Sequence, residues 1–269
     1  MEEIVIAILV KDKEYCLDFY LNCILNQTYD KKKIHLYIRT NDNKDNSQLI
    51  LDKFIKNYSK EYASVYYDNS SINETLKQYD EHEWNSDRFK ILGKLRQESI
   101  NYAIKLNAHY FVVDCDNFIT SDTLESLYKN KQLNCIGPML KLSPSHWYAN
   151  FHNKTCPTGY YQENDQYLQI WDRNIKGLIN VNTIHCTYFL NNKILKDVTY
   201  DDGSNRYEYA IMSNNFRNKK IPQYLDNTKF YGFLYLNDQI ELPFVDYVKE
   251  YWNNEYKEMN EFDYESGMC

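Results

Sequence analysis

Four short runs in the first 113 residues set the frame for this chain. Ile4–Val10 is continuously apolar, 34–39 alternates, 63–67 is a third strand-like run, and 110–113 is apolar again. Runs of this length suit strands of a parallel sheet buried on both faces. The segments between them are patterned for helices. Residues 14–27 carry Tyr15, Leu17, Phe19, Leu21, Ile24 and Leu25 at near-helical spacing, and 49–58 reads as a helix. A long amphipathic helix is expected over 87–107, with Phe89, Leu92, Leu95, Ile100, Ala103 and Leu106 on its inner side. This alternation predicts an α/β unit with a Rossmann-like, mainly parallel sheet and helices on both faces. Ligands of such sheets bind at the carboxyl ends of the strands, where Val10, Lys11, Thr40 and Asp114 fall.

The second half is patterned differently. Strands are expected at 135–140, Leu178–Val181 and Thr187–Leu190, hairpins and loops over the aromatic stretch 143–176, a helix at 201–216 and a terminal amphipathic helix at 240–256. Residues 40–47 form a polar loop rich in helix caps, and 68–86 reads as a mobile polar loop. No repeat and no Gly/Ser linker interrupts the chain, so one unit with two functional halves is expected: 1–117 for nucleotide, 118–236 for acceptor. An acidic, helical tail at 237–269 would then dock on its own domain, the favoured reading, or pair two chains. Hydrophobic content of 43% excludes wholesale disorder, and a net charge of −7 leaves no basic footprint for nucleic acid. The 27 Tyr reflect an AT-rich genome or, for some of them, stacking on sugars. Seven Cys without a C-x-x-C pair, most of them in apolar patterns, suggest reduced thiols in a cytosol-like compartment. The first apolar run follows acids and precedes charge, so it reads as a core strand rather than a signal peptide or membrane anchor. A cytoplasmic protein with no membrane partner is expected.

Tyr110-Phe111-Val112-Val113-Asp114-Cys115-Asp116-Asn117 carries the chemistry. An apolar run that ends in two acids at i, i+2 sets two like charges at a strand mouth, which repel unless something positive lies between them. A divalent cation is the usual answer, and a cation at a strand end usually serves a phosphate-bearing ligand. Asp-x-Asp is also the pattern of nucleotide-sugar glycosyltransferases.

Other blocks sharpen that likeness. They are Thr40…Asn43-x-Asp45-Asn46, Trp84-x-Ser86-Asp87-Arg88, Lys94-Leu95-Arg96-Gln97, Val113-Asp114-x-Asp116-Asn117 and Pro138-Met139-Leu140. Asn150-Phe151, Gly159-Tyr160-Tyr161, His185-x-Thr187-Tyr188-Phe189-Leu190, Asp201-Asp202 and Tyr231-Gly232-Phe233-Leu234 follow. In order and spacing over residues 1–236 the set resembles the N-terminal glycosyltransferase domain of the procollagen galactosyltransferases. The resemblance implies a GT-A fold, a UDP-hexose donor, Mn²⁺ or another divalent cation, and a hydroxylysine-containing, collagen-like acceptor. Family members also carry a second glycosyltransferase domain and a secretory signal, neither of which is found in these 269 residues. A standalone domain for one step is therefore expected: galactose to hydroxylysine, or glucose to galactosyl-hydroxylysine. Such a domain with an AT-biased composition suits a large DNA virus with collagen-like proteins, acting in the host cytoplasm. The alternatives are a glycan or lipid acceptor, or a non-catalytic nucleotide-sugar-binding module, against which the retained acids, His185 and Asp201/Asp202 argue.

Roles follow from that likeness. Asp116 would ligate the metal, Asp114 would contact metal or ribose, and Cys115 and Asn117 would lie against the donor. His185 would be a third metal ligand, since neutral imidazole suits Mn²⁺; otherwise it is a satisfied core histidine or lines the sugar pocket. Thr40, Asn43 and Asp45 would face the nucleoside, with helix capping as the other reading of Asp45. Trp84 would lid the donor, and Arg88 or Lys94 would neutralise the diphosphate. Arg96 is expected in a salt bridge on a solvated helix face. Asp202 and Asp201 would meet the acceptor hydroxyl, as a base if transfer inverts or as an orienting group if it retains; the other reading is a helix-dipole pair. Trp147, Asn150 and Tyr160, among Tyr148, Phe151 and Tyr161, would hold a sugar or extended peptide, or form a satellite core.

Overall fold

The computed structural model describes residues 1–72, 85–143, 146–237 and 240–252, without the side chains of 251 and 252. The first half runs β1 (Ile4–Val10), α1 (Glu14–Leu25), β2 (Ile34–Thr40), α2 (Ser47–Tyr58), β3 (Ser64–Asp68), α3 (Ser86–Leu106) and β4 (His109–Val113). There follow β5 (Asn117–Ile119), α4 (Thr123–Lys129), β6 (Cys135–Pro138), β7 (Lys141–Ser143), β8 (His146–Ala149), β9 (Phe151–His152) and α5 (Asp165–Trp171). The chain continues through β10 (Leu178–Val181), β11 (Thr183–Ile184), β12 (Thr187–Leu190), α6 (Glu208–Asn218), β13 (Gln223–Asp226), β14 (Gly232–Leu234) and α7 (Phe244–Tyr247).

The main sheet has the order β10-β13-β6-β12-β4-β1-β2-β3. Its pairings β1·β2, β1·β4, β2·β3 and β6·β13 are parallel. The second half enters through antiparallel β12, which lies between β4 and β6, and β10 closes the far edge antiparallel to β13. Because successive strand residues face opposite sides, β1 feeds two cores. Ile4, Ile6, Ile8 and Val10 pack with Leu17, Phe19 and Ile24 of α1 and Leu51 and Phe54 of α2. Val5 and Ala7 pack with Ile100 and Ala103 of α3 and Met212 and Phe216 of α6. Helices thus cover both faces, as the sequence alternation implies. β2 is buried at every residue, so the alternation over 34–39 does not mark a solvated face. A small sheet, β5-β14-β7-β8, extends beyond the end of β4.

Three expectations change. The helix expected at 201–216 is Glu208–Asn218. Upstream of it the chain is turned by its own side chains: Gly203 N donates to Asp201 Oδ1 (2.8 Å) and Ser204 N to Asp202 Oδ1 (3.0 Å), while Gly203 sits at φ +78°. Such local bonds compete with a helix. Within 143–176, α5 forms where only loops are expected, capped by Asn164 Oδ1 accepting from Tyr167 N (3.1 Å). The terminal helix begins at Phe244 behind Pro243 and widens into π-type turns over Val248–Trp252. Phe244, Tyr247 and Val248 are buried in the same core as Phe19 and Phe118. The remainder of the tail, like 73–84 of the expected polar loop, lies outside the described residues. Among the described residues no helix is long and apolar enough to cross a membrane.

Candidate functional site

The acids at the end of β4 are held outward by inward anchors on either side. Asp114 N donates to Cys186 O (3.0 Å), and Asn117 N closes the turn onto Asp114 O (2.9 Å). Cys115 and Asn117 are buried: Cys115 Sγ donates to Leu9 O (3.2 Å) and Asn117 Nδ2 to Thr187 Oγ1 (2.7 Å). Their side chains therefore serve the core and do not face a donor. Cys186, whose carbonyl receives Asp114 N, adopts φ +66°, a left-handed conformation unusual for a side chain with a Cβ.

Each acid has its own cation. Arg96 Nη2 lies 2.8 and 2.9 Å from the two oxygens of Asp114, and Arg96 Nε donates to Glu208 Oε1 (3.2 Å). Arg96 is 3% exposed. It does not stand on the solvated helix face expected for it; Lys94, two residues or about 200° around the helix, does. Gly93 allows the approach, since a Cβ there would sit 2.9 Å from Tyr200 O and 3.6 Å from Glu208 Cβ. Burial pushes the Asp114 carboxyl up to about 6, with Arg96 pulling it down and Asp116 adding to the rise. Asp114 keeps 24% of its side-chain surface open, so part of its carboxylate stays reachable. Asp116 Oδ2 is 3.0 Å from Lys13 Nζ.

The ends of β1 and β2 lie side by side, Val10 paired with Thr40. Thr40 is buried and its Oγ1 accepts from Asn43 Nδ2 (2.6 Å), while Asn43 Oδ1 accepts from Asp12 N (2.9 Å). Asp45 accepts from Glu14 N (2.8 Å) and Ser47 N (2.9 Å), so its carboxylate holds the first turns of α1 and α2. Its capping reading has direct contacts. Lys11 Nζ donates to Asp42 O (2.8 Å). Arg88 enters α3 in its first turn, its N donating to Asn85 Oδ1 (3.1 Å). Trp84 lies outside the described residues.

On the opposite side stands a group of rings. His185 is buried; its Nδ1 is 3.0 Å from Cys186 Sγ, and its Nε2 has no hydrogen-bond partner among the described residues. Burial, with His152 and Arg96 nearby, pushes its pKa well below the usual value, so it is neutral. Its ring centre is 5.0 Å from Tyr209 and 5.2 Å from His152. Tyr207 and Tyr209 stack at 5.5 Å on either side of Glu208 in sequence, and Tyr160 meets Tyr207 edge-on at 5.8 Å. Farther out, Trp147 is 53% exposed and lies 6.1 Å from Tyr161. Asn150 is fully buried, its Oδ1 accepting from Leu140 N (2.8 Å) and its Nδ2 donating to Pro138 O (2.9 Å). It joins backbone to backbone and offers nothing to an acceptor. Asp201 and Asp202 are exposed, with Arg206 Nη2 against Asp202.

Asp114, Asp116 and His185 are not gathered into one metal cluster. Among the described residues no three His, Cys, Asp or Glu are so arranged. The donor set still suits a hard cation at Asp116, whose carboxylate already holds a positive group, the Lys13 ammonium, at 3.0 Å. Asp114, the other acid of the pair, has both oxygens on Arg96. Lys13 and Glu208 were not singled out from the sequence, and Arg96, read there as a surface salt bridge, makes its ion pairs buried. For Arg96 and Glu208 the sign was there. Arg96 stands four residues from both Leu92 and Ile100, and Glu208 three and four before Ile211 and Met212, so each charge lies on a buried stripe. Glu208 Oε2 is buried with no hydrogen-bond partner among the described residues.

Residues 1–250 match the family described as glycosyltransferase family 25, N-terminal domain. A glycosyltransferase 25 family member of Aedes aegypti is 26% identical over 246 residues, 86% of this chain and 40% of that protein. Procollagen galactosyltransferase 2 of Homo sapiens is 25% identical over 242 residues, 86% of this chain and 38% of its own length. The "inactive glycosyltransferase 25 family member 3" of Mus musculus is 28% identical over 192 residues, 70% of this chain and 32% of that protein. The chain thus spans between 32% and 40% of the length of these relatives. Among solved structures, S. aureus TarS (residues 1–349) superposes with a TM-score of 0.55 at 13% identity, over 87% of this chain and 60% of that one. The sheet and its two helical layers are those of the GT-A glycosyltransferase fold.

Proposed function

The chain belongs to glycosyltransferase family 25, and from that premise we propose that it moves a hexose, glucose or galactose, from a UDP-sugar to hydroxylysine or galactosyl-hydroxylysine of a collagen-like protein. The observation that carries this reading is the pair Asp114 and Asp116 after β4, the first held by Arg96, which also holds Glu208, and the second by Lys13. The ends of β1 and β2, with Val10, Lys11, Thr40 and Asn43, offer the nucleoside its place. Asp116, with Asp114 beside it, would hold a divalent cation such as Mn²⁺. That cation would balance the diphosphate charge as UDP leaves.

The chain's own residues do the rest. Arg96 fixes Asp114 and Glu208 with one guanidinium, which keeps two buried carboxylates at a set separation. Glu208 Oε2, buried and without a hydrogen-bond partner among the described residues, would accept from the acceptor hydroxyl on binding. If transfer inverts, it takes the hydroxyl proton as the oxygen attacks; if transfer retains, it orients the hydroxyl. Asp201 and Asp202, expected in this role, instead suit contact with more distant parts of the acceptor. Tyr207, Tyr209, Tyr160 and exposed Trp147 offer aromatic faces for sugar and peptide.

The test is UDP release from UDP-glucose and from UDP-galactose, with Mn²⁺ or EDTA, with and without hydroxylysine or galactosyl-hydroxylysine collagen peptides. Release stimulated by one peptide with one donor is the expected result. A second reading, a nucleotide-sugar-binding module without transfer, has a specific support: relatives from mouse, human and cattle are named "inactive" or "probable inactive". It predicts UDP-sugar binding by calorimetry with no stimulated release.

A further inference from the structure

The helix after β1 begins against the usual preference. Its N-cap position is Lys13, whose side chain makes no cap, although a helix start favours acceptor oxygens and negative charge. Other residues serve the backbone there: Glu14 N donates to Asp45 Oδ2 and Lys13 N to Ser47 Oγ, both at 2.8 Å. The ammonium of Lys13 instead lies 3.0 Å from Asp116 Oδ2 and 3.3 Å from the Tyr15 hydroxyl, with the Tyr15 ring centre at 5.7 Å. Asp116 is what makes a cation favourable at this helix end. The pair keeps 25% and 19% of its side-chain surface open, so it can part without unpacking the core.

We propose that Lys13 is the placeholder cation of the site: it neutralises Asp116 in the empty protein and passes to the donor diphosphate when a divalent cation takes Asp116. The inference rests on the reading of Asp116 as the cation-holding acid. An ammonium and a divalent cation cannot share one carboxylate without repulsion, and a lysine head on its flexible four-carbon stem can swing to the anion that arrives with the metal. Metal alone then meets a defended carboxylate, whereas metal with a nucleoside diphosphate gives Lys13 a new partner. Lys13 thereby couples metal binding to nucleotide binding, and the coupling is reciprocal.

Mn²⁺ titration of the nucleotide-free protein, followed by electron paramagnetic resonance, tests this together with calorimetric UDP titration at saturating Mn²⁺. Lys13→Gln is expected to bind Mn²⁺ alone about fivefold tighter or more and to bind UDP more weakly, shrinking the coupling. Lys13→Arg keeps the charge and is expected to follow the wild type in both titrations. Unchanged Mn²⁺ affinity in Lys13→Gln, or an equal change in both variants, overturns the role of Lys13 while wild-type UDP binding stands. A wild-type protein that binds no UDP with Mn²⁺ present overturns the donor-site reading itself, and the Lys13 inference with it.

Discussion

One guanidinium serves two carboxylates in this site, and that sharing decides what each can do. Asp114 has both oxygens against Arg96 Nη2, whereas Glu208 gives Arg96 only Oε1 and keeps Oε2. Glu208→Gln preserves the shape and the Arg96 contact but removes a base. It is expected to cut acceptor-dependent transfer about 10²–10⁴-fold while UDP affinity stays near wild type; Asp202→Asn should cost far less. Steady-state rates and calorimetry on the two variants check this, and a larger loss in Asp202→Asn would return the catalytic role to the exposed acid. Arg96→Met leaves buried Glu208 and part-exposed Asp114 unpaired, at a cost of about 3 kcal/mol near pH 8, the lower end for a buried pair. The sign of its pH dependence follows from Asp114, whose pKa stands at about 6 because burial outweighs Arg96. A carboxyl raised on folding takes its proton in the folded state first, so its share of stability falls as pH rises through that value. Without Arg96 the rise is larger. The deficit of Arg96→Met should therefore narrow as pH falls from 8 to 5, as measured by urea denaturation at each pH. A deficit that stays constant would mean that Arg96 acts through packing alone.

At the scale of elements, what the sequence disclosed depended on how a segment is stabilised. β1, β2 and β4 are buried on both faces; unbroken apolar runs announce that for β1 and β4, whereas β2 alternates and hides it. α3 shows its stripe over several turns. α5 and the short strands of the second sheet are set by contacts with distant residues, which no local pattern records. The late start of α6 was missed because Asp201 and Asp202 read as acids at a helix N-terminus, whereas they bond the backbone two residues on. Arg96 and Glu208 were legible as charges on buried stripes, but that they share a bond is a property of how α3 crosses α6. Gly93 sits at this crossing. By helix propensity alone Gly93→Ala would stabilise α3 by about 1 kcal/mol. The added Cβ would meet Tyr200 O, a backbone atom with little freedom, at 2.9 Å, and overpacking of that kind costs about 1–3 kcal/mol. A net loss of stability is expected, with weaker transfer as Arg96 shifts. Chemical denaturation that showed a net gain would mean the crossing has slack.

Over the whole molecule, the halves expected for nucleotide and for acceptor share one sheet and one core. β12, from the second half, lies in the main sheet between β4 and β6, and one core joins Ile4, Ile136 and Phe233. The same core takes in the segment beyond Leu236. Phe244 meets Phe118 at 4.9 Å and Phe19 at 5.8 Å, and the Tyr247 hydroxyl, with one proton to give, lies within hydrogen-bond distance of both Leu142 O (2.6 Å) and Leu234 O (2.7 Å). Composition reads this stretch as an acidic tail, because its charges outnumber the few apolar residues that fix it. Tyr235 N also donates to Asp116 O (2.8 Å), so the strand leading into the segment holds the acid that would take the metal. Ending the chain after Leu236 should therefore damage both core and site. Removal of one buried Phe costs about 3–5 kcal/mol, and the loss of Phe244, Tyr247 and Val248 together approaches the 5–15 kcal/mol that holds a typical domain folded (about that range). The shortened chain should unfold without a cooperative transition, and Phe244→Ala in the full chain should lose about 3–5 kcal/mol and part of its UDP affinity. Urea denaturation and sedimentation velocity separate this from the other role of such a tail. If the segment served only to pair two chains, the shortened protein would keep its unfolding midpoint and change only its mass in solution.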